Sequence, residues 1–401
     1  ERSNASREFM KKKIFISTGE VSGDLHGSLL AKELFEESRK QSIDLEIYGL
    51  GGEKMKRSGV KIIKDTTPIS AIGIWEAVPL VLPMIKIQKK FLNALIAKSP
   101  DCLILIDYMG PNISIGRELK KKKINMPIYY YIAPQEWAWR VGNNSTTDLI
   151  GFSDKIFAIF QQEANFYKKR GGRVTWIGHP MVDLTKKLPT KKESREYLDL
   201  ASNQNILLIM PASRPQELKY ILPTFIKVAQ KLQRKYPDLV VFIPSCRKVF
   251  DQTFQKALDK NNINGRVIST SEIEETKIYI YSLSKLALCK SGTVNMELAL
   301  YGIPQVVGYK VSRVTAFIAK KILNFKLRFI SPINLLMKRL IVPEFVQKEF
   351  NVNSVFRKSC KLLEKNNEKI KIKQGYKSLK KILGDKGVAK RAAKEILNSI
   401  I

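Results

Sequence analysis

The sequence predicts an α/β protein with two Rossmann-like, doubly wound domains that face a central cleft, followed by a basic helical tail. Apolar strand patterns alternate with helical patterns in two separate stretches, which is typical of parallel sheets with crossover helices. A polar, lysine-rich linker that contains a proline, residues 184–194, separates the two stretches. We therefore expect an N-terminal domain at 10–185, a C-terminal domain at 186–350 and the tail at 351–401.

Short apolar runs mark the predicted strands of these two sheets. They lie at 13–18, 45–50, 102–107, 128–132, 155–160, 174–178, 205–210, 239–243, 286–290 and 303–309. Helical patterns fill the intervals between them, as parallel neighbours require a crossover connection. Ligands of open parallel sheets bind outside the carboxyl ends of the strands, so the turns that follow these runs are the places to search for a site.

The charge balance of the chain is strongly positive. Its 401 residues include 70 Lys and Arg against 37 Asp and Glu, for a formal net charge of +33. Such a surplus suits an anionic membrane surface, nucleic acid or phosphorylated substrates. No aromatic residues interleave with the basic ones as in base-stacking proteins, so we favour a membrane surface and expect no nucleic-acid partner. A lysine-biased composition that only solvates the surface is the alternative.

Targeting and cofactor signals are sparse. Residues 1–9 lack an apolar core and a cleavage site, so we expect a disordered extension before Met10 rather than a secretory signal. No run of about 18 uncharged apolar residues predicts a transmembrane helix. The widely spaced cysteines indicate free thiols in a reducing compartment. They are Cys102, Cys246, Cys289 and Cys360. No Asp-x-Asp motif or His/Cys cluster suggests a metal, and we expect no cofactor.

The first glycine-rich turn, residues 19–27 with the sequence GEVSGDLHG, follows the first predicted strand. Ser22 and Asp24 lie where the next helix begins, so a side-chain cap and a close backbone approach are both available there. Two interpretations carry equal weight: the turn contacts a ligand, or its glycines only set the geometry of a strand-to-helix connection.

Asp107 ends the strand at 102–107 and places a carboxylate at the mouth of the sheet, where a general base would be useful. Its alternative role is to cap the following helix, 113–120. Further on, residues 133–140 combine two tryptophans with a carboxylate and an arginine. Stacking on a sugar ring and a packed tryptophan corner are both compatible with that composition.

The C-terminal half carries two turns suited to phosphate. Arg214 lies in the turn after the strand at 205–210, beside a helix N-terminus, where dipole, amides and guanidinium converge on an anion. An ordinary surface arginine is the alternative. The residues Ser291-Gly292-Thr293 form a small hydroxyl-bearing turn at another helix N-terminus and could cradle a phosphate without metal. Glu297 could reach ribose hydroxyls, or it could complete a capping box with Thr293.

One segment, 71–91, is more apolar than an ordinary surface helix and is followed by basic residues. The residues alone favour a core segment about two to one over a membrane-interface helix, since large exposed apolar patches are rare.

Two doubly wound halves with glycine-rich turns are typical of GT-B-like glycosyltransferases, among other proteins. The chain lacks a strong GxGxxG or P-loop motif, which argues against dehydrogenases and kinases.

The ordered set of motifs resembles one family closely, the lipid-A-disaccharide synthases, from Lys12 to about Phe350. The motifs are 19–27, 49–52 (GLGG), 106–107 (ID), 137–140 (WAWR), 178–180 (GHP), 211–214 (PASR), 291–293 with Glu297, 334–336 (NLL) and 342–347 (VPEFVQ). The resemblance implies an inverting GT-B transferase that works in the cytoplasm, peripheral on the inner membrane. It would join UDP-2,3-diacylglucosamine to the 6-hydroxyl of 2,3-diacylglucosamine-1-phosphate, forming a β-1,6 disaccharide and UDP.

The resemblance also implies roles for individual residues. Asp107 matches the family's essential aspartate, to which we assign the role of general base. The donor side would comprise Arg214, Ser291, Gly292 and Thr293 at the diphosphate, Glu297 at the ribose and Asn334 near the donor. The cleft and acceptor side would comprise Glu20, Ser22, Asp24 and His26. Under this reading residues 71–90 become an acyl-chain and membrane patch, which reverses the preference for core.

The chain departs from the family pattern mainly on the acceptor side. Gly110-Pro111-Asn112 lacks the usual acid and aromatic, and Tyr130 replaces a frequent histidine. The alternatives are another UDP-GlcNAc-dependent GT-B enzyme and a non-catalytic paralogue that binds a UDP-sugar or lipid. Whether the protein forms a homodimer is also left open by the sequence.

Overall fold

The computed structural model describes residues 10–19, 21–66, 81–134, 145–212, 215–312 and 328–401. The chain divides into two compact units, which we call unit 1 and unit 2. Unit 1 comprises Glu1–Asp183 together with Ile382–Ile401, and unit 2 comprises Leu184–Lys381.

Unit 1 contains a seven-stranded parallel sheet in the order β3-β2-β1-β4-β5-β6-β7. Its strands are β1 (Met10–Ser17), β2 (Ile43–Gly51), β3 (Lys61–Asp65), β4 (Cys102–Ile106), β5 (Ile128–Tyr131), β6 (Lys155–Ala158) and β7 (Val174–Trp176). The described helices between them are α1 (Val21–Lys40), α2 (Glu53–Arg57), α3 (Val81–Lys98), α4 (Met109–Lys121), α5 (Ser145–Phe152) and α6 (Gln161–Lys168). Every residue of β4 is fully buried, as expected for a parallel strand covered on both faces.

Unit 2 contains a six-stranded parallel sheet in the order β10-β9-β8-β11-β12-β13. Its strands are β8 (Asn205–Met210), β9 (Leu239–Pro244), β10 (Gly265–Ile268), β11 (Ser284–Lys290), β12 (Gln305–Tyr309) and β13 (Glu344–Val346). The described helices are α7 (Lys191–Leu198), α8 (Pro215–Lys235), α9 (Asp251–Lys260), α10 (Ile273–Leu283), α11 (Thr293–Leu300), α12 (Pro332–Met337), α13 (Val352–Glu364) and α14 (Asn366–Leu383).

Each sheet has one point at which the strand order reverses direction. In unit 1 this switch point lies between β1 and β4, and in unit 2 it lies between β8 and β11. Helices that follow strands on either side of a switch point leave in opposite directions and open a crevice at the carboxyl ends of the strands. The turns after β1, β4, β8 and β11 therefore border the crevices, and these turns carry most of the predicted site residues.

The prediction of two parallel, doubly wound sheets is confirmed, and the ten predicted strands occur within three residues of their expected ends. Three further strands, β3, β10 and β13, escaped prediction. Each lies at the edge of its sheet and is three to five residues long. Edge strands tolerate charged and exposed residues, as in Lys61–Asp65, so they lack the apolar run that identifies a central strand.

The basic tail is divided between the two units. Helices α13 and most of α14 belong to unit 2, whereas the last helix, α15 (Val388–Ile400), packs on α1 in unit 1. Asp183 caps the start of α15, because its carboxylate accepts hydrogen bonds from the amides of Gly387 and Ala389 at 2.6 and 3.1 Å. Among the described helices, none is both long enough and apolar enough to cross a membrane.

Candidate functional site

Asp107 is the first residue after β4 and lies at the switch point of unit 1. Its φ angle is 47°, and that of Tyr108 is 51°, so two consecutive residues with side chains adopt the left-handed conformation. Each such residue costs about 1–2 kcal/mol, and backbone strain of this kind persists only where the surrounding structure enforces it. The partly buried Asp107 is therefore held in a specific place rather than in a relaxed turn.

Asn112, near the start of α4, holds the backbone of the Asp107 turn in place. It is fully buried, and its Nδ2 atom donates to the carbonyl oxygens of Asp107 and Ile106 at 2.8 and 3.1 Å. Its Oδ1 atom accepts a 2.7 Å hydrogen bond from the Ser17 hydroxyl at the end of β1. The Tyr130 hydroxyl also donates to the Asp107 carbonyl, at 2.8 Å. These contacts join β1, β4 and β5 around the Asp107 turn.

The glycines of the 19–27 turn are explained by close packing. A Cβ atom on Gly19 would overlap the Tyr108 ring, and one on Gly23 would overlap the Thr18 hydroxyl. The absence of side chains lets the β1 turn approach the Asp107 turn closely. The geometric interpretation of this motif therefore has direct support, while Ser22, partly exposed in the first turn of α1, stays a candidate for the acceptor side.

Asp24 has a structural partner within unit 1. It is buried, and its carboxylate accepts hydrogen bonds from the amides of Gly52, Lys54 and Met55 at 2.7, 3.0 and 3.0 Å. Those amides form the N-terminus of α2, where a carboxylate is favoured by the helix dipole and the unpaired donors. The carboxylate thus joins α1 to α2, and a contact of Asp24 with an acceptor stays a prediction.

The only two histidines of the chain, His26 and His179, are neutral neighbours in unit 1. Burial lowers the pKa of His26 to about 4. Burial, with a smaller contribution from His26, lowers the pKa of His179 to about 3. His179 Nδ1 accepts a hydrogen bond from the Met181 amide at 3.2 Å, whereas His26 Nδ1 is buried and has no hydrogen-bond partner within the described ranges. Neither ring carries a charge near neutral pH.

In unit 2, the turn between β11 and α11 lies at the other switch point. The Ser291 hydroxyl donates to the Ile330 carbonyl at 2.6 Å, and the Gly292 amide donates to Asn295 Oδ1 at 2.9 Å. Thr293 is exposed at the first position of α11. A Cβ atom on Gly292 would contact none of the described residues within 4 Å, and its backbone is extended, so the fold does not require glycine there.

Asn295, in the first turn of α11, holds this β11–α11 turn in place through hydrogen bonds. It is fully buried, and its Nδ2 atom donates to the Lys290 carbonyl at 3.2 Å and to Gln305 Oε1 at 3.1 Å. Gln305 in turn donates to the Tyr376 hydroxyl on α14 at 2.9 Å. The network connects β11, α11, β12 and α14, and a fully satisfied buried network of this kind makes its members rigid.

Glu297 does not form the predicted alternative, a capping box with Thr293. Asn295 occupies the capping position, and Glu297 forms an ion pair with Lys277 on α10 at 2.7 Å. The Glu297 side chain keeps about a quarter of its surface exposed. Contact of this residue with a ribose stays a prediction.

Asn334, by contrast, is buried and uses its full hydrogen-bonding capacity within unit 2. Its Oδ1 atom accepts from the amides of Ile341 and Val342, at 2.7 and 3.0 Å, and its Nδ2 atom donates to the Val342 carbonyl and to Glu344, at 2.8 and 2.9 Å. The side chain shapes the segment that leads into β13. Any direct contact with the donor stays a prediction.

Several predicted elements lie outside the described residues. They are Glu20, Arg214, the 137–140 motif and residues 71–80 of the apolar segment. Sequence reasoning in turn overlooked the supporting roles of Asn112 and Asn295, although each is an asparagine five residues after the end of a predicted strand. Within the described ranges, no group of three or more His, Cys, Asp or Glu side chains could hold a metal ion.

Comparison with known proteins gives consistent results. The model of the family described as LpxB, lipid-A-disaccharide synthetase, matches residues 14–400. A lipid-A-disaccharide synthase from Prochlorococcus marinus (strain MIT 9313) is 48% identical over 386 residues, covering 96% of this chain and 98% of the relative. The corresponding protein from Synechocystis sp. (strain ATCC 27184 / PCC 6803 / Kazusa) is 40% identical, covering 96% and 97%.

Solved structures share the fold at low sequence identity. The S. aureus MnaA–UDP complex superposes with a TM-score of 0.64 at 14% identity, covering 97% of this chain and 98% of that one. WaaG, a glycosyltransferase of lipopolysaccharide biosynthesis, gives 0.54 at 12% identity, covering 96% and 99%. The fold is that of GT-B glycosyltransferases and related epimerases, and the chain belongs to the LpxB family of lipid-A-disaccharide synthetases.

Proposed function

We propose that the protein is a glycosyltransferase that forms the lipid A disaccharide. Its donor is UDP-2,3-diacylglucosamine, its acceptor is the 6-hydroxyl of 2,3-diacylglucosamine-1-phosphate, and its products are the β-1,6 disaccharide and UDP. The observation that carries this proposal is the full-length match to the family, with relatives up to 48% identical that bear this name. The placement of the matching residues at the two switch points supports it.

On this proposal Asp107 is the general base. A base in an inverting transfer takes the proton of the attacking hydroxyl, so its carboxylate must be held at a defined position. The enforced left-handed turn, with its carbonyl fixed by Asn112 and Tyr130, supplies such a position.

The donor diphosphate is assigned to unit 2. Departure of UDP develops negative charge, which helix N-termini and cations stabilise. The Ser291–Thr293 turn opens α11, and Gly292 leaves open space where a side chain would otherwise stand. Arg214 and Glu297 complete the assignment on the strength of the family resemblance.

We further propose that α3 contacts an anionic membrane. Ile85 is 53% exposed on this helix, and the neighbouring Lys86, Lys89 and Lys90 are exposed as well. An exposed apolar side chain among lysines suits the interface of an anionic bilayer, where each lysine contributes about 1 kcal/mol. Peripheral attachment of this kind would bring the enzyme to its acylated substrates. Formation of a homodimer stays a prediction from the sequence.

The transferase proposal is tested by incubating the protein with the acylated donor and the acceptor and detecting disaccharide-1-phosphate by mass spectrometry. We expect product and an equimolar amount of UDP. Use of unacylated UDP-GlcNAc as the preferred donor would instead indicate another UDP-GlcNAc-dependent enzyme. UDP binding without product under any condition would indicate a non-catalytic paralogue.

Membrane attachment is tested separately by sedimentation with vesicles. We expect binding to vesicles that contain phosphatidylglycerol and weak binding to pure phosphatidylcholine. Replacing Lys86, Lys89 and Lys90 by Gln should reduce sedimentation with anionic vesicles at least tenfold. The matched control replaces Lys121, Lys122 and Lys123, which are exposed at the end of α4. Equal loss in both variants would show that only total charge matters and would contradict a role of α3.

A further inference from the structure

A partly buried ion pair lies beside the switch point of unit 2. Lys290 is the last residue of β11, directly before the Ser291–Thr293 turn, and Glu217 lies in the first turn of α8. Lys290 Nζ is 2.8 Å from Glu217 Oε1, and the two side chains retain only 18% and 10% of their exposure.

The position of this pair is set by the sheet. Cys289 lies opposite Met210 in the pairing of β11 with β8, so Lys290 stands next to Pro211 at the start of the turn that contains Arg214. Lys290 therefore lies directly before one turn that the family resemblance assigns to the donor diphosphate, and next to Pro211, the first residue after β8. Both α8 and α11 begin here, so two helix N-termini add to the positive potential.

The ion pair is incomplete in a way that stability alone does not explain. Glu217 Oε2 is buried and has no hydrogen-bond partner among the residues that the structure describes. A buried pair gains little net stability, and a buried unpaired carboxylate oxygen adds a cost. An ammonium group also has three N–H donors, and Glu217 is the one acidic partner of Lys290 among the described residues.

We propose that Lys290 is a donor-binding residue that contacts the β-phosphate of the nucleoside diphosphate. Glu217 is its positioning residue. One N–H of the ammonium holds Glu217 and fixes the direction of the side chain. The remaining donors are directed to the phosphate oxygens of UDP. This inference rests on the proposed use of a UDP-sugar donor.

The first test compares uridine nucleotides that differ only in phosphate number. Calorimetric titration measures the Kd of UDP and of UMP for the wild type, Lys290→Gln and Lys285→Gln. Lys285 is the matched control, since it is an exposed lysine near the opposite end of the same strand. We expect Lys290→Gln to weaken UDP binding about ten- to a hundredfold, as for loss of a charged hydrogen bond, and UMP binding less than threefold.

The control variant should change neither Kd more than twofold, and Lys290→Arg should restore most of the UDP affinity. Equal weakening of UDP and UMP by Lys290→Gln, or no weakening, would overturn the inference and leave the proposed function standing. Absence of UDP binding by the wild type would overturn both.

A double-mutant cycle tests the positioning role of Glu217. Glu217→Gln should weaken UDP binding several-fold in the wild type and have no effect on UDP binding in the Lys290→Gln background, because its influence passes through the ammonium. Additive losses would mean that Glu217 acts independently of Lys290 and would contradict the positioning role.

The native chain provides a second measurement that does not depend on folding of a variant. Cys246 is exposed at the end of β9, its Sγ atom is 3.5 Å from the Ala212 carbonyl, and the other three cysteines are buried. Lys290 and Glu217 both lie close enough to influence its thiol electrostatically. UDP should slow alkylation of Cys246 by iodoacetamide at least fivefold, and UMP should slow it less. Unchanged alkylation at saturating UDP would contradict the proposed location.

Discussion

At both switch points, a buried asparagine side chain holds the turn that follows a central strand. Asn112 in unit 1 and Asn295 in unit 2 each lie five residues after the turn residue whose carbonyl they hold, Asp107 at 2.8 Å and Lys290 at 3.2 Å. Both asparagines are fully buried, and both also bond a neighbouring strand or helix. A buried amide can donate and accept at once, so one side chain holds the end of a central strand and the start of the next helix.

The two turns differ in the backbone that the asparagine holds. In unit 1, Asp107 and Tyr108 are both left-handed, and the turn presents a carboxylate. In unit 2, Gly292 is extended, and the turn presents a serine, open space and a helix N-terminus. Strain in the first turn directs one side chain, whereas the relaxed second turn leaves room for an anion. The comparison predicts that substitutions in the unit 1 turn affect the chemical step, whereas substitutions in the unit 2 turn affect donor binding.

The largest expected effect follows replacement of the unit 1 carboxylate. Asp107→Asn should lower kcat by about 10²–10⁴-fold, the range for loss of a general base, without weakening UDP binding. Steady-state kinetics and UDP titration measure the two effects. Asp44→Asn, an exposed position on β2, is the control. Activity of Asp107→Asn near the wild-type level would exclude this residue as the base.

The two asparagines should give opposite kinetic signatures. Asn112→Ala and Asn295→Ala each leave several buried groups unpaired, so each should lower the free energy of unfolding by roughly 3–4 kcal/mol. Hydrogen exchange read separately for the two units measures that loss. Beyond it, Asn112→Ala should mainly lower kcat and Asn295→Ala should mainly raise KM for the donor. If both variants changed kcat and KM in the same way, the proposed difference in function between the two turns would be wrong.

Acid should destabilise unit 1 before unit 2. Both histidines are in unit 1, with pKa values lowered to about 4 and about 3, below the ordinary value near 6.5. The unfolded chain therefore binds more protons as the pH falls below about 6.5, which costs the native state about 4 kcal/mol by pH 5, roughly 2 kcal/mol for each histidine. All four tryptophans precede residue 184, so their fluorescence follows unit 1.

The control for the acid effect is His26→Gln combined with His179→Gln, which should flatten the pH dependence of tryptophan-detected unfolding between pH 5 and about 6.5. An unchanged slope in this double variant would mean that carboxylates, not the two histidines, determine the acid sensitivity of unit 1.

The smallest effect concerns Asp24, whose carboxylate caps α2. Asp24→Asn retains one acceptor oxygen for the Gly52 and Met55 amides but loses the one that receives Lys54, so we expect a loss of about 1–2 kcal/mol in unfolding free energy. Chemical denaturation followed by tryptophan fluorescence measures it, with Asp44→Asn as the control. If activity fell more than a hundredfold while stability hardly changed, Asp24 would have a direct role at the acceptor.

Much of the fold was predictable because central parallel strands are apolar on both faces. The run at 102–107 illustrates this, since its strand is completely buried. The edge strand Lys61–Asp65 was not predictable, because pairing on one side only allows charged residues. Among the site residues, Asp107 could be located from its position at a strand end, but the capping function of Asp24 depends on α2, which lies some thirty residues further along the chain.

The sequence by itself determined the alternation of strands and helices, the order of the motifs and hence the family of the protein. Local periodicity and turn chemistry suffice for those conclusions, because they depend on neighbouring residues. Only the tertiary structure decided which polar groups hold the turns and which remain available to a ligand. Ser17 bonds Asn112, Gly52 bonds Asp24 and Glu217 pairs with Lys290, and each of these pairs joins distant parts of the chain that the strand order brings together. The 19–27 turn is an example. Glycine is required at Gly19 because the Tyr108 ring packs against it, and at Gly23 because the Thr18 hydroxyl does, and the first of these contacts comes from a distant part of the chain.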